Sequence, residues 1–246
     1  MSRLVLIRHA QANFSREPDR AFRDYDRLSP LGELQAERLG EELYASGTAF
    51  SRICVGPAMR HRQTAEAVAS VYLRHGAPWP EAESVGELDE HQGSSVVERV
   101  LGAPGDDEEL VRVVTAGTEA TGEEDRVRAY FHTFRVVTRR WARGELSATH
   151  DAGETWRGFR SRVERGVRRI LEGSRRGETI GVFTSGGPIG STVAWALGLG
   201  DEAAIELAWA IENATVTELL HRDGHMSLKS FNTQPRIGSA ELRTYV

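Results

Sequence analysis

The hydrophobic pattern of the chain begins with RLVLI at residues 3–7, an apolar run without polar alternation. Such a run is typical of a strand that is covered on both faces of a sheet. Leucines then recur at helical spacing over 30–46, with Ser29 at the expected N-cap position. A second apolar run at 50–56 is followed by a second amphipathic segment at 58–76. The pattern therefore predicts strand, helix, strand and helix in that order.

The same alternation returns in the last third of the chain. An amphipathic segment at 157–174 precedes an apolar run at 178–184, and another helix is predicted to start at Pro188. Two final strand-like segments flank the turn pair Asp223-Gly224, which predicts a hairpin. Strands that alternate with helices indicate an α/β fold: an open, doubly wound, mostly parallel sheet with helices on both faces.

Between about residues 94 and 149 this alternation is interrupted. The segment contains an acidic loop with proline and glycine at 103–109 and a helical pattern with large apolar residues at 123–145. It is short and has no linker of its own. We therefore expect a single domain over 1–246 that carries a helical cap insertion at about 94–149.

Composition restricts the partners and the location of the protein. The chain has 39% hydrophobic and 27% charged residues and a formal net charge of -5, which provides no basic surface for nucleic acid. No stretch approaches the ~20 apolar residues of a membrane helix. A single cysteine, Cys54, excludes an internal disulfide and a thiolate zinc cluster. Because the first apolar stretch is also too short for a signal peptide, we expect a cytoplasmic protein that binds neither nucleic acid nor membranes.

Polar side chains suited to chemistry follow three of the predicted strands. The first strand ends at Arg8 and His9, and Arg60 lies one turn into the helix after the second. The third ends at Ser185 and Gly186, immediately before a helix N-terminus. The carboxyl ends of parallel strands share one edge of a sheet, where arginines and a helix N-terminus favour a phosphoryl group. The imidazole is then a candidate for acid–base work or nucleophilic attack.

Seven segments of the chain resemble, in order, those of the histidine phosphatase superfamily, also called the phosphoglycerate mutase-like family. LVLIRHAQA resembles its strand with Arg-His-Gly, and DRLSPLGELQAERLGEEL its Leu-Ser/Thr-x-x-Gly-x-x-Gln-Ala segment. VGPAMRHRQTAEAV is similar to Ser-Pro-x-x-Arg-x-x-Gln-Thr-Ala, GETWRGFRSRV to the Gly-Glu-Ser segment and FTSGGPI to the Ser-His-Gly-Gly turn. TVTELL and LKSFN resemble the closing strands. The resemblance leaves out about 94–149, which in this family caps the site and helps to select substrates.

The resemblance implies a role for each residue at the strand ends. His9 would attack phosphorus and become the phosphohistidine, and Arg8 and Arg60 would bind phosphate oxygens. Ser185 and Gly186 would also bind phosphate, in the turn where the family has its second histidine. A serine hydroxyl still donates a hydrogen bond, but it brings no positive charge.

The segment ELDEHQG would supply the acid that protonates the leaving oxygen. Glu90 fits this role if the family's Leu-x-Glu triplet is anchored on Leu88, and Asp89 fits if the spacing to Gly93 is the anchor. We favour Glu90, because the triplet fixes the residue type as well as the spacing.

Two positions depart from the family pattern. Ala10 replaces the glycine after Arg-His, a mild change because its backbone N–H survives. Ser185 replaces the second histidine, which is the more serious change. His61, next to Arg60, and His91, next to the acid, are candidates to compensate, although each is equally compatible with an ordinary surface position.

We expect a phosphatase that hydrolyses phosphomonoesters through a phosphohistidine intermediate on His9, without a cofactor. No metal is expected, because no histidine pair has ligand spacing with a carboxylate and the arginines already neutralise phosphate. The partner is then a small phosphorylated substrate or a phosphoprotein, and a homodimer is compatible with the sequence. The cap leaves sugar phosphates, nucleotides and phosphoproteins open as substrates. Its candidate contact residues are Arg135, Arg139, Arg140, Phe131, Phe134 and Trp141.

Three other functions stay open. Ser185 is compatible with a catalytically weak or inactive member that binds or senses a phosphate ligand. Mutase action is less favoured, because nothing in the cap indicates a site for reorienting a phosphosugar. A serine hydrolase using Ser185 would need Gly-x-Ser-x-Gly, yet Phe183 occupies the first glycine position. In that function Asp223 and His225 would be the downstream partners of Ser185. Arg8, His9 and Arg60 would then have no role.

Overall fold

The computed structural model describes residues 1–13, 26–146, 150 and 153–234. Its strands are β1 (Ser2–Arg8), β2 (Arg52–Val55), β3 (Ala82–Ser84), β4 (Thr179–Thr184), β5 (Val216–Arg222) and β6 (His225–Thr233). Its helices are α1 (Pro30–Ala45), α2 (Met59–Arg74), α3 (Gly93–Gly102), α4 (Glu108–Glu119), α5 (Glu123–Arg143), α6 (Trp156–Leu171), α7 (Gly186–Ala196) and α8 (Asp201–Ala210). A 3-10 turn covers Gly86–Leu88. Among the helices of these ranges, none is long and apolar enough to cross a membrane.

The six strands form one sheet in the order β3-β2-β4-β1-β5-β6. Strands β1 to β4 are parallel, whereas β5 and β6 run antiparallel to their neighbours. Arg8 at the end of β1 is in register with Thr184 of β4, and Val55 at the end of β2 with Phe183. The carboxyl ends of β1, β2 and β4 therefore share one edge, and the predicted mostly parallel sheet is confirmed.

Helices cover both faces of the sheet. Successive side chains of a strand point to opposite faces. Val5 and Ile7 of β1 pack in a core with α1 and α2. Leu4 and Leu6 pack in a second core with helices α3 to α8. The doubly wound arrangement predicted from the sequence is thus confirmed.

The helix cap and the hairpin turn that the sequence predicts are both present in the structure. Ser29 caps α1, because its Oγ accepts a hydrogen bond from Gly32 N at 3.0 Å, and Pro30 follows as the first helical residue. The hairpin between β5 and β6 turns at Asp223 and Gly224, both with positive φ. These local choices agree with the sheet that they connect.

The segment at 94–149 contributes α3, α4 and α5. Helix α3 belongs to the second core, since Val96, Val97 and Val100 are fully buried. Helix α5 is joined to α8 by ion pairs, among them one between Arg143 and Glu202 with N and O atoms 2.5 Å apart. The segment therefore packs on the same core as the helices that follow the central strands.

Candidate active site

The ends of β1 and β4 are tied together where the candidate residues begin. His9 N donates to Thr184 O at 2.8 Å, so the His9 backbone continues the pairing of the two strands. His9 O accepts from Asn213 Nδ2 at 3.1 Å. Ser185 follows directly after β4 and is the N-cap residue of α7. The parallel register thus places His9 and Ser185 side by side at the same edge.

The His9 ring is buried and held in one tautomer. Its side chain is almost inaccessible, at 1% exposure. Nδ1 lies 2.7 Å from Ala10 O; since a carbonyl only accepts, Nδ1 carries the proton and Nε2 keeps a lone pair. Burial lowers the pKa of His9 well below its ordinary value, and the positive charges of Arg60 and Arg8 lower it further. The ring is therefore neutral near pH 7, with Nε2 available as a nucleophile.

Arg60 links three of the groups around this ring. Its Nε donates to His9 Nε2 at 3.3 Å and its Nη2 to Ser185 Oγ at 3.4 Å. Its Nη1 pairs with the exposed carboxylate of Asp26 at 3.2 Å. Arg8 is also buried and donates from Nη1 to Ile211 O. The structure therefore brings together the four residues His9, Arg8, Arg60 and Ser185, as the strand ends predict.

Ser185 contacts a second buried histidine. Its Oγ lies 2.6 Å from His61 Nε2, and both side chains are fully buried. The centroids of the His61 and His9 rings are 5.6 Å apart. Burial lowers the pKa of His61 well below its ordinary value, with Arg60 as the next cause. Of the two histidines named as candidates to compensate for Ser185, His61 is the one that touches it.

The acid segment reaches the start of α7. Glu90 Oε2 accepts from Gly187 N at 3.3 Å, and Oε1 accepts from His91 N at 2.9 Å. A Cβ on Gly187 would overlap Glu90 Oε1, so a side chain at this position would displace the Glu90 carboxylate. Asp89 turns back on its own segment, where Oδ1 accepts from Glu90 N at 2.9 Å. Burial raises the pKa of Asp89, an effect that favours a protonated acid.

His91, the other candidate, faces an aromatic cluster. Its ring centroid lies 5.5 to 5.8 Å from those of Trp141, Trp156 and Phe159. Its Nδ1 accepts from Gly93 N at 3.0 Å, and its Nε2 is 3.7 Å from Glu90 Oε1. His91 therefore lies between this aromatic cluster and the Glu90 carboxylate.

Arg162 and Glu154, which have no role predicted from the sequence, hold the acid segment at residues 87–93 in place. Arg162 Nη1 donates to Glu87 O at 2.9 Å and to Asp89 O at 3.1 Å, and Nη2 donates to Glu90 O at 3.4 Å. Both oxygens of Glu154 accept from the same guanidinium, at 2.7 and 2.8 Å. That pairing raises the pKa of Arg162. The segment GETWRGFRSRV contains both residues: Glu154 lies just before the N-cap residue Thr155 of α6, and Arg162 lies within the helix.

Other motif residues support the backbone around His9. Ala10 N donates to Thr64 Oγ1 at 3.1 Å, which explains why the N–H at this position matters more than the missing glycine. Gln11 N donates to Gln35 Oε1 at 2.8 Å. The Gln-Ala and Gln-Thr-Ala motifs thus supply acceptors for the loop that follows β1.

The three cap arginines, Arg135, Arg139 and Arg140, are paired with carboxylates. Arg135 Nη2 lies 3.6 Å from Glu206 Oε2, and Arg139 pairs with the same carboxylate. Arg140 Nη1 lies 2.5 Å from Asp107 Oδ2. These ion pairs connect helices, so the cap arginines carry little uncompensated charge for a phosphorylated ligand. Over the described part of the chain, no group of three or more His, Cys, Asp or Glu residues is arranged to hold a metal.

The turn proposed for a serine hydrolase lies elsewhere. His221 of β5 is in register with Ser2 at the start of β1, so the Asp223-Gly224 turn projects from the opposite edge of the sheet. Asp223 and His225 therefore lie far from Ser185. The base that does contact Ser185 is His61.

The fold and this edge define a class: an α/β protein with a neutral buried imidazole, buried arginines and a helix N-terminus at one edge of its sheet. A model of the histidine phosphatase superfamily (branch 1) matches residues 4–99 and 122–234, which is most of the chain. The chain belongs to the histidine phosphatase superfamily. The comparison with curated proteins finds no match.

Solved structures show the same fold at low sequence identity. A phosphoserine phosphatase mutant from Entamoeba histolytica, in complex with phosphoserine, has 16% identity and a TM-score of 0.61, with 96% of this chain and 100% of that chain covered. Mycobacterial glucosyl-3-phosphoglycerate phosphatase has 21% identity and a TM-score of 0.60, covering 94% and 99%. Phosphoglycerate mutase from Bacillus anthracis has 18% identity and a TM-score of 0.58, covering 95% and 93%. At these identities the likeness concerns the fold.

Proposed function

We propose that the protein is a phosphatase that hydrolyses phosphomonoesters through a phosphohistidine on His9. The observation that carries the proposal is the setting of the His9 ring. Nδ1 donates to Ala10 O, so Nε2 keeps its lone pair, and the Arg60 guanidinium lies against that nitrogen. A neutral imidazole is a nucleophile and an arginine binds phosphoryl oxygens. Membership of the superfamily supports the same chemistry.

The proposed reaction has two transfers. In the first, His9 Nε2 forms a bond to phosphorus while the bond from phosphorus to the ester oxygen breaks, and Glu90 gives a proton to that oxygen. In the second, water attacks the phosphorus, Glu90 takes a proton from the water, and the P–N bond breaks to release inorganic phosphate. Arg8, Arg60 and Ser185 bind the phosphoryl oxygens throughout, beside the N-terminus of α7.

The test of this proposal is phosphate release with identification of the nucleophile. The wild-type protein should release phosphate from p-nitrophenyl phosphate, and His9→Ala should not. Because phosphohistidine is stable in base, peptides mapped after a base quench should carry phosphate on His9. The matched control is His221→Ala, which removes a half-buried imidazole beside Ser2 at the opposite sheet edge. Turnover that survives in His9→Ala, or phosphate found on Ser185, contradicts the proposal.

A second candidate is a protein that binds a phosphate ligand without turnover. The Ser185 hydroxyl favours it, because this group adds no positive charge to stabilise a transferring phosphoryl group. Titration calorimetry with inorganic phosphate, run beside a panel of phosphorylated sugars, amino acids and nucleotides, separates the two. Phosphate binding without release from any panel member would favour the binding function. Release from one class of compound would identify the substrate.

A further inference from the structure

Two neighbouring positions depart from the motifs that the rest of the site follows, and a buried histidine lies between them. Gly56 stands at the serine of Ser-Pro-x-x-Arg, and Ser185 at the histidine of Ser-His-Gly-Gly. His61 lies between them, in contact with both. These contacts indicate that the three residues form one unit.

Gly56 makes room for the His61 ring. A Cβ on Gly56 would overlap Nδ1 of that ring, and Leu88 O closes the same space from the other side. The ring is fully buried, so it has no alternative position in solvent. A side chain at position 56 would therefore push His61 away from Ser185.

The partners of the two His61 ring nitrogens indicate which atom donates in each contact of this cluster. Within the described residues, His61 Nδ1 has no partner with hydrogen-bond geometry, and the Gly56 backbone beside the ring raises the pKa of His61 less than burial lowers it. We place the ring proton on Nε2, because an Nδ1–H would lack a well-directed acceptor, and a buried N–H without one is rarer than a lone pair without a donor. His61 Nε2–H then donates to Ser185 Oγ across the 2.6 Å contact. The guanidinium of Arg60 donates to the same oxygen.

Because two donors contact the Ser185 oxygen, the hydroxyl can form one further hydrogen bond, as a donor. A serine oxygen has two lone pairs and one proton, and both lone pairs are occupied by His61 and Arg60. The hydroxyl proton must then point in a third direction. Because Arg60 contacts both Ser185 Oγ and His9 Nε2, the serine hydroxyl lies beside the nitrogen that would meet a phosphoryl group.

We propose that His61 is a positioning residue of this site, which holds the Ser185 hydroxyl so that it donates to a phosphate oxygen. Gly56, His61 and Ser185 together then take the place of one histidine on the α7 turn. This inference rests on the proposed function for its ligand, a phosphoryl group. It differs from that function in concerning a bond to phosphate, which forms whether or not turnover follows.

The kinetic test uses substitutions that separate volume from hydrogen bonding. His61→Leu fills the space without a donor and should lower kcat for p-nitrophenyl phosphate about a hundredfold, as Ser185→Ala should. His61→Gln keeps a donor and should retain activity within about tenfold of wild type. The variant with both His61→Leu and Ser185→Ala should be no slower than either alone, because the two residues act as a unit. The control His221→Leu should match wild type. A His61→Leu kcat within threefold of wild type overturns the inference.

A swap tests the replacement directly. Ser185→His alone should have a lower kcat than wild type, because the His61 ring occupies the space that the new ring needs. The pair His61→Ala with Ser185→His should exceed His61→Ala in kcat at least about tenfold. A swap that is no faster than His61→Ala overturns the inference.

A spectroscopic test needs no substitution and no turnover. Long-range ¹H–¹⁵N spectra of wild-type protein, labelled on histidine and titrated with inorganic phosphate, report which ring nitrogen of His61 is protonated. We expect Nε2–H in the phosphate-bound protein. A proton on Nδ1 alone overturns the inference. If the protein hydrolyses no ester but binds phosphate with Nε2–H, the proposed phosphatase fails and this inference stands.

Discussion

The pocket arginine Arg60 and the cap arginines differ in the partners that their guanidinium groups contact. Arg60 is nearly buried and directs two of its nitrogens at the neutral groups of His9 and Ser185. Arg139 and Arg140 are more exposed and lie against carboxylates of other helices. Arg60 has one exposed carboxylate partner, Asp26, beside its two neutral partners, whereas the carboxylate partners of the cap arginines connect one helix to another or to its preceding loop. The nature of the partner therefore separates a binding arginine from a structural one.

The largest effect that tests this contrast is expected from Arg60→Ala. Loss of the guanidinium removes charged hydrogen bonds to the phosphoryl group in both the bound substrate and the transition state. We expect kcat/KM for p-nitrophenyl phosphate to fall by roughly 10²–10³, with both KM and kcat affected. Arg139→Ala is the matched control and should stay within threefold of wild type. Equal losses in the two variants would remove the distinction.

A smaller effect is expected at the acid segment, where two carboxylates compete for one role. Glu90→Gln should lower kcat about a hundredfold on an alkyl phosphate, because an alkoxide leaves poorly without a proton. The loss should be less on p-nitrophenyl phosphate, whose phenolate is stable unprotonated. Asp89→Asn should have the smaller effect on both substrates. If Asp89→Asn shows the leaving-group dependence instead, the proton donor is Asp89, whose pKa burial raises.

The pocket should also be visible in the pH dependence of stability. Burial lowers the pKa of both His9 and His61, so below about pH 6.5 the unfolded chain binds more protons than the folded one. The free energy of unfolding should therefore be highest above that pH and decrease on acidification, by up to about 1.4 kcal/mol per pH unit for each histidine. Urea unfolding at pH 7.5, 6.5 and 5.5 measures this. His61→Gln should flatten the dependence; an unchanged slope would mean that His61 does not contribute.

The smallest effect is expected in the cap arginines themselves. The Arg139 side chain is more than a third exposed, and exposed ion pairs contribute little because solvent screens them. Arg139→Ala should lower the free energy of unfolding by about 1 kcal/mol or less. Chemical denaturation at low and at high salt checks the value. A loss of several kcal/mol would show that the pairs with Glu206 and Glu202 act as a strong network.

The sequence predicted the sheet and the candidate site because both depend on short, local patterns. The apolar runs before His9 and Ser185 set two parallel strands, and parallel strands bring their ends to one edge. The position of His61 is different. The sequence makes His61 a candidate to compensate for Ser185, but adjacent residues on a helix point about 100° apart, so the pattern alone does not show that Arg60 and His61 contact the same serine. Gly56 resolves this by admitting the ring, and nothing local marks that space.

The partners of the cap arginines could not be read from the sequence for a related reason. Arg139 pairs with Glu206, 67 positions away along the chain, across a contact between α5 and α8. Periodicity indicates that α5 is amphipathic but not which helix covers it. The role of Arg162 had the same limit, since its acceptors are backbone carbonyls, which the side-chain sequence does not show.

The place of β1 in the sheet has a consequence for biosynthesis. The strand that carries Arg8 pairs on one side with β4 and on the other with β5, and β4 also separates it from β2. A nascent chain of the first hundred residues would contain His9, Arg60 and Glu90, yet would lack the strand that joins their elements. Pairing between strands that are far apart in the sequence makes folding slow. Until the partner strand is present, the edges of the earlier strands stay unpaired. We therefore expect the candidate site to assemble only after β4 and β5 have left the ribosome.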